Sequence, residues 1–418
     1  MEKRFASENF PPEIQKLADQ MNLSESAVPP YSLPSVQSKT AAEFVRKERP
    51  QILHAFEEVL YGAIPPKTAQ MDVDIVAECP DAFDGLATRR EIDIRVAQNG
   101  LSRTLHLLLY IPNDRKGKVP VFFGLNFKGN HACTADPEVR FNVSKIYPRL
   151  NDSPRFADTR VGIDQRGFAD GRWCIETVLK RGYAAATMCY FDIYPDHPYG
   201  FEDSILRLFF DKKTFDSAER PCGAISAWAW GVSRAVDVLE MQTELNADKI
   251  MVHGLSRLGK TALWAGANDQ RIALSVSFSS GTCGAKLSHR YCGEDFAWID
   301  LWNPHWMVPK FREYIGHDAE IPVDQHQLLA CIAPRLAYVA SATLDDYADP
   351  RGEFLSTVKA SEYYRLFGSS GVGVSEEQLP SPGERLEGDI GYYLRTGEHN
   401  CTPENWAALL DYADKRVK

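Results

Sequence analysis

Residues 249–268, KIMVHGLSRLGKTALWAGAN, constrain this chain more than any other stretch. Lys249–Val252 is a short apolar run bounded by polar residues, which suits a buried strand. Lys260–Asn268 is rich in Ala and Leu and predicts a helix. Between them stands Gly254-Leu255-Ser256-Arg257-Leu258-Gly259. A Ser set among glycines where a strand turns sharply into a helix is presented at the sheet end, the arrangement of a nucleophile elbow. The first N–H groups of the following helix favour negative charge developing at the same place. The second Gly comes three residues after Ser256, not two, so the G-x-S-x-G spacing is not met. On this stretch alone, Ser256 is equally well an incidental residue of a glycine-containing loop.

Strand and helix patterns alternate from about residue 119 to the end, as in a mainly parallel sheet with helices on both faces. Val119–Leu125, Tyr183–Phe191, Ile272–Phe278, Arg335–Ala340 and Tyr392–Leu394 read as strands. Arg172–Arg181, Ile225–Thr243 and a last segment starting at Thr402-Pro403 read as helices. Upstream, Ile92, Ile94 and Val96 alternate with charged residues, and Leu105–Ile111 forms a second run. Gln98-Asn99-Gly100 between them suits a hairpin, hence an antiparallel edge. The loop Asn126–His131 is expected at the same sheet end as Ser256. Residues 1–65 are Pro-rich, with helical spacing over Ala41–Leu60, and read as an N-terminal extension packing on the body. Residues 66–418 read as one catalytic unit, with insertions at about 132–170 and 285–330. The expected fold is a three-layer αβα sandwich of the α/β-hydrolase type.

With 418 residues, 44% of them hydrophobic, the chain can bury a large core. Its net charge of −10 argues against nucleic acid or an anionic membrane as partner. No run of about 18 apolar residues suggests a transmembrane helix. Residues 1–20 have no apolar h-region. As it stands the sequence reads as cytoplasmic, or as secreted or periplasmic with its leader removed. Nine Cys occur with no C-x-x-C pair, which disfavours a zinc ribbon or a redox dithiol, while Cys283 and Cys292 are near enough in sequence to pair. A monomer is the expected form.

A Ser nucleophile needs a base, and the base needs an acid that fixes its tautomer. On an α/β-hydrolase sheet these follow in the order Ser, acid, His. Asp345 follows the strand Arg335–Ala340, and His399 follows Tyr392–Leu394. Both stand where the topology needs them. Asp346 and Asp349 lie beside Asp345, and such a loop is also compatible with a solvated turn.

The run GLSRLGK resembles the G-C-S-R-x-G-K elbow of the glucuronoyl esterases of carbohydrate esterase family 15, with Leu255 at the usual Cys position. GLNFKGN at 124–130, DQHQLLACIAPR at 324–335, SATLDDYADPRGEF at 341–354 and GEHNCTPENWAALLDYAD at 397–414 agree in order. The resemblance covers roughly residue 40 to the end and is greatest to bacterial members. It implies a serine esterase, without a metal or other cofactor, that cleaves the ester joining 4-O-methyl-glucuronate of xylan to lignin alcohols. It further implies Ser256 as nucleophile, His399 as general base and Arg257 as oxyanion stabiliser. The family's fungal acid position is Ser279 here, which cannot serve, so the resemblance points to Asp345, with Asp346 as the fallback. For the sugar it implies Lys260, Glu294, Trp306 and Tyr347, the last where the family has Trp. Taken as residues alone, Lys260 is equally an exposed helix residue, Glu294 part of an acidic loop, and Trp298, Trp302 and Trp306 core packing. Two other functions remain open at this level: an acetyl-xylan or other carbohydrate esterase on the same fold, and a catalytically silent carbohydrate-binding protein.

Overall fold

The computed structural model describes residue 16 and residues 19–142, 165–375 and 378–418. Most of the insertion expected at 132–170 lies outside the described residues. One ten-stranded sheet organises the rest, in the order β1-β2-β3-β5-β4-β6-β7-β8-β10-β9. The strands are β1 (Gln70–Ala82), β2 (Ala87–Gln98), β3 (Leu101–Pro112), β4 (Val119–Asn126) and β5 (Ala184–Cys189). They continue as β6 (Leu245–Leu255), β7 (Ile272–Phe278), β8 (Leu336–Ala342), β9 (Arg385–Glu387) and β10 (Ile390–Arg395). From β5 through β4, β6, β7 and β8 to β10 every neighbouring pair is parallel. The flanking pairs are antiparallel.

Side chains alternate across the sheet because strand residues point to opposite faces. Ile250 and Val252 of β6 enter one core layer, with Trp228, Trp230 and Trp264. Met251, between them, enters the other, with Leu274, Val276 and Phe278 of β7 and Trp406. Helices Ala224–Glu240 and Arg257–Asn268 cover the first face. Helices Ile175–Lys180 and Pro403–Arg416 cover the second. The result is the three-layer α/β-hydrolase arrangement.

The hairpin forms where Asn99-Gly100 predicts it, with Gln98 opposite Leu101 and both turn residues at positive φ (55° and 74°). Three local readings are corrected. The helix over Arg172–Arg181 is two short helices, Asp170–Trp173 and Ile175–Lys180, because Cys174 takes a left-handed conformation (φ 48°). The strand ending at Phe191 stops at Cys189, and Tyr190–Ile193 turns into one helical turn. β1 was not expected as a strand. Met71 and Val73 pack half-buried against the core, but Ile75 at the outer edge is 52% exposed, and pairing with β2 defines the rest of the strand. All nine Cys are free thiols, Cys283 and Cys292 included.

The N-terminal helical stretch runs from Ala41 to Tyr61, with wider π turns at Phe44–Glu48 and Glu57–Tyr61. Phe44, Phe56 and Tyr61 are fully buried, and Tyr61 lies 4.8 Å from Trp264 of the elbow helix, ring centre to ring centre. Ahead of it, residues 21–36 cross the 285–330 segment. Gly293 N–H donates to the Asn22 carbonyl at 2.9 Å, and the Ser32 and Pro34 carbonyls meet His289 and His326 at 2.7 and 2.8 Å. Among the described residues, no helix is long and apolar enough to cross a membrane.

Candidate active site

Parallel strands place their C-terminal ends on one rim of the sheet, where α/β folds bind ligands. Ser256 follows β6, Ser279 follows β7, Asp345 lies three residues past β8, and His399 four past β10. Ser256 is held at φ 59°, ψ −127°, a conformation disfavoured for a residue with a side chain. That strain is the cost of turning from β6 straight into the helix Arg257–Asn268. The turn needs Gly254: a Cβ there would strike the Leu258 carbonyl. Gly259 serves the same packing despite the longer spacing, since a Cβ there would stand 3.0 Å from the Gly254 carbonyl oxygen and 3.0 Å from Ser280 Cβ.

Asp345 Oδ2 lies 2.7 Å from His399 Nδ1, and Asp345 is buried. Asp346 instead starts a short 3-10 turn. Burial disfavours the His399 imidazolium, but the ring is 44% exposed, so water softens that cost. The charge and hydrogen bond of Asp345 prevail and hold the His399 pKa above its ordinary value of 6.5. The pair leaves Nε2 as the ring nitrogen available for a proton in transfer.

Ser256, Asp345 and His399 line one cavity of about 230 Å³ together with Arg257, Lys260, Glu294, Trp306 and Tyr347. Trp298, Trp302 and the Ser279–Gly281 turn complete its wall. The volume is below the ~300 Å³ typical of pockets for drug-sized ligands and suits one sugar ring. Lys260 is buried, 2% exposed, and its Nζ donates to the Ser280 carbonyl. It is therefore no solvated helix residue. Burial lowers its pKa, against the pull of Glu294. Burial raises that of Glu294, against the pull of Lys260 and His399. Glu294 is fixed through its backbone, its N–H donating to the Tyr347 carbonyl at 2.8 Å and its carbonyl accepting from Lys286 Nζ at 2.6 Å. Tyr347 packs its ring 5.6 Å from that of Trp298, which also meets Met21. Among the described residues no group of three or more His, Cys, Asp or Glu is placed to hold a metal ion.

Two buried carboxylates in this region carry no signal in the sequence. Asp196 contacts Arg257, His305, Trp306 and Tyr190. Glu353 accepts from Gly281 N–H at 2.9 Å and from Ser341 Oγ at 2.6 Å, and burial pushes its pKa up to about 7. The donors to Glu353 hold the turn whose Ser280 carbonyl receives Lys260. Met21, packed against the cavity residue Trp298, and Asn22, bonded to Gly293, belong to a segment that the sequence marks only as Pro-rich.

Similarity to known proteins follows this geometry. A family model described as "Glucuronyl esterase, fungi" matches residues 210–368, from ahead of the core helix Ala224–Glu240 to past Glu353. A "Carbohydrate esterase MZ0003" from an unknown prokaryotic organism is 36% identical over 414 residues, covering 97% of this chain and 94% of that one. A solved CE15 esterase from a marine bacterial metagenome, described as promiscuous, matches with TM-score 0.85 and 35% identity over 95% of this chain and 100% of its own. The chain belongs to carbohydrate esterase family 15. A second solved family-15 relative, the glucuronoyl esterase of Solibacter usitatus, has TM-score 0.86 and 34% identity over 94% of this chain and all of its own. The bacterial relatives match nearly end to end.

Proposed function

We propose that this chain is a glucuronoyl esterase that cleaves the ester between (4-O-methyl-)glucuronic acid of xylan and lignin alcohols through an acyl-enzyme on Ser256. The observation that carries the reading is the convergence on one small cavity of a strained elbow Ser, an Asp345–His399 pair at 2.7 Å, and the buried cation Lys260. His399 Nε2 takes the Ser256 proton while Asp345 holds Nδ1–H and stabilises the imidazolium. The Ser256 oxygen adds to the uronate carbonyl. Arg257, next after the nucleophile, stabilises the oxyanion with backbone N–H and side chain; losing one such donor typically costs roughly 100- to 1000-fold in rate. The imidazolium then protonates the departing alcohol. A water activated by the same His399 adds to the acyl-enzyme and releases glucuronate.

Lys260, buried, and Glu294, half-buried, offer a donor and an acceptor for sugar hydroxyls. A site built on such groups favours substrates whose hydroxyls can pair with them, because the remaining hydrogen-bonding capacity goes unused with a substrate that lacks them. Tyr347 and Trp298 supply ring faces for the sugar's C–H surface, while the buried Trp306 carries the Arg257 guanidinium on its ring. A binding module would have no use for the acid–base pair or the strained serine.

Hydrolysis of benzyl glucuronate compared with 4-nitrophenyl acetate tests this reading. A kcat/KM for the glucuronate ester at least tenfold above that for the acetate is expected. Turnover of acetate alone would move the substrate to acetylated sugars.

A further inference from the structure

Asp196 lies in the loop after β5, outside the residues given a role above. Its side chain is 2% exposed. Oδ2 accepts from Tyr190 OH at 2.9 Å and pairs with Arg257 Nη1. Oδ1 meets His305 Nε2 and Trp306 Nε1, each at 2.8 Å. A buried carboxylate is tolerated only when it is paired and its lone pairs are filled. Here one cation and three further donors, drawn from three separate parts of the chain, fill both oxygens.

The state of His305 follows from its surroundings. The residue is buried, its Nδ1 has no hydrogen-bond partner among the described residues, and its ring stacks on Tyr194 at 6.0 Å and 13°. Burial lowers its pKa despite Asp196, and Nε2 is the ring nitrogen that faces the carboxylate. Within this group of contacts Arg257 pairs its positive charge with Asp196. The Trp306 ring, held by its own N–H on Asp196, lies under the guanidinium, 4.7 Å from Cζ to the ring centre. Arg257 Nε is buried and makes no hydrogen bond within the described chain. The guanidinium is thus oriented by Asp196 at Nη1 and by Trp306 beneath its plane.

We propose that Asp196 is the positioning residue of the oxyanion site, fixing the Arg257 guanidinium against the His305–Trp306 pair of the 285–330 segment so that the elbow's cation is aimed before substrate arrives. This rests on the reading of Arg257 as an oxyanion donor. Preorganisation of this kind acts on the transition state, where charge develops, and leaves ground-state sugar binding to Lys260 and Glu294.

The test is a double-mutant cycle on benzyl glucuronate with wild type, Arg257→Ala, Asp196→Asn and the double variant, each checked for fold by circular dichroism. Arg257→Ala is expected to lower kcat roughly 100- to 1000-fold. Asp196→Asn is expected to lower kcat roughly 10- to 100-fold with KM within about threefold, and the double variant to be no slower than Arg257→Ala, as for residues acting as a unit. Fully additive losses, or a loss in Asp196→Asn carried by KM, would overturn the proposal while leaving the role of Arg257 intact. Near-wild-type kcat in Arg257→Ala would overturn both. If Asp196→Asn does not fold, Tyr190→Phe removes one donor to the same oxygen. Its fall in kcat must then appear in the wild-type background and vanish in Arg257→Ala; an equal fall in both contradicts the proposal.

Discussion

At the residue scale the chemistry is set by the groups around His399. Because Asp345 holds its pKa above 6.5, the neutral base is lost as pH falls through that raised value. The acid limb of kcat/KM is therefore expected above pH 6.5, and Asp345→Ala should move it to lower pH while reducing the plateau by roughly 10³-fold or more. A pH–rate profile of both proteins checks this; an unmoved limb would detach Asp345 from the base. Lys260→Met removes the buried cation facing Glu294 and is expected to raise KM for benzyl glucuronate roughly tenfold or more, with little change for 4-nitrophenyl acetate. Ser256, Asp345 and His399 are legible in the sequence because each must follow a strand end in a fixed order. Asp196 and Glu353 are not. Their partners lie 61 to 110 residues away for Arg257, His305 and Trp306, and 72 away for Gly281. No local pattern encodes such distances.

At the scale of elements, the elbow is the joint on which the site depends. Gly254 leaves no space for a Cβ against the Leu258 carbonyl, so Gly254→Ala must open the turn. A loss of about 2–4 kcal/mol in denaturant unfolding is expected, with activity reduced beyond the stability effect. Gly259 shows why the longer spacing still works: the glycine keeps the approach to Gly254 and Ser280 free of a Cβ that would press on both at 3.0 Å, whatever its offset from Ser256. The central strands were legible because strands buried on both faces read as continuous apolar runs. β1 and the break at Cys174 were not, since the alternation in β1 is confined to Met71–Ile75 while edge pairing carries the rest, and a single left-handed residue leaves no pattern. Glu353 couples a helix to the Ser279–Gly281 turn. Its folded pKa of about 7 lies above its ordinary 4.5, so the unfolded chain ionises first as pH rises. Stability from this group is full below pH 4.5 and is lost progressively up to about pH 7. Thermal unfolding of Glu353→Gln should show a flatter pH dependence across that window than wild type.

At the scale of the whole molecule, the sheet rim supplies the reacting groups and the 285–330 segment supplies the walls. Residues 21–36 in turn brace that segment through Asn22, Ser32 and Pro34. Sequence separations of 257 to 292 residues hide this brace from any reading of the chain in order. Deleting residues 1–28 removes Met21 from Trp298 and Asn22 from Gly293, and also Glu25 from Arg290. The expected result is a several-fold higher KM for benzyl glucuronate, with 4-nitrophenyl acetate turnover retained. An unchanged KM would show the brace to be irrelevant to the sugar site. All of this turns on Ser256 as the nucleophile of a uronate ester hydrolase, and the most direct measurement is kcat for benzyl glucuronate in Ser256→Ala. A fall of roughly 10⁴-fold or more, in a protein whose unfolding midpoint matches wild type, is predicted. Turnover within about tenfold of wild type would contradict the account.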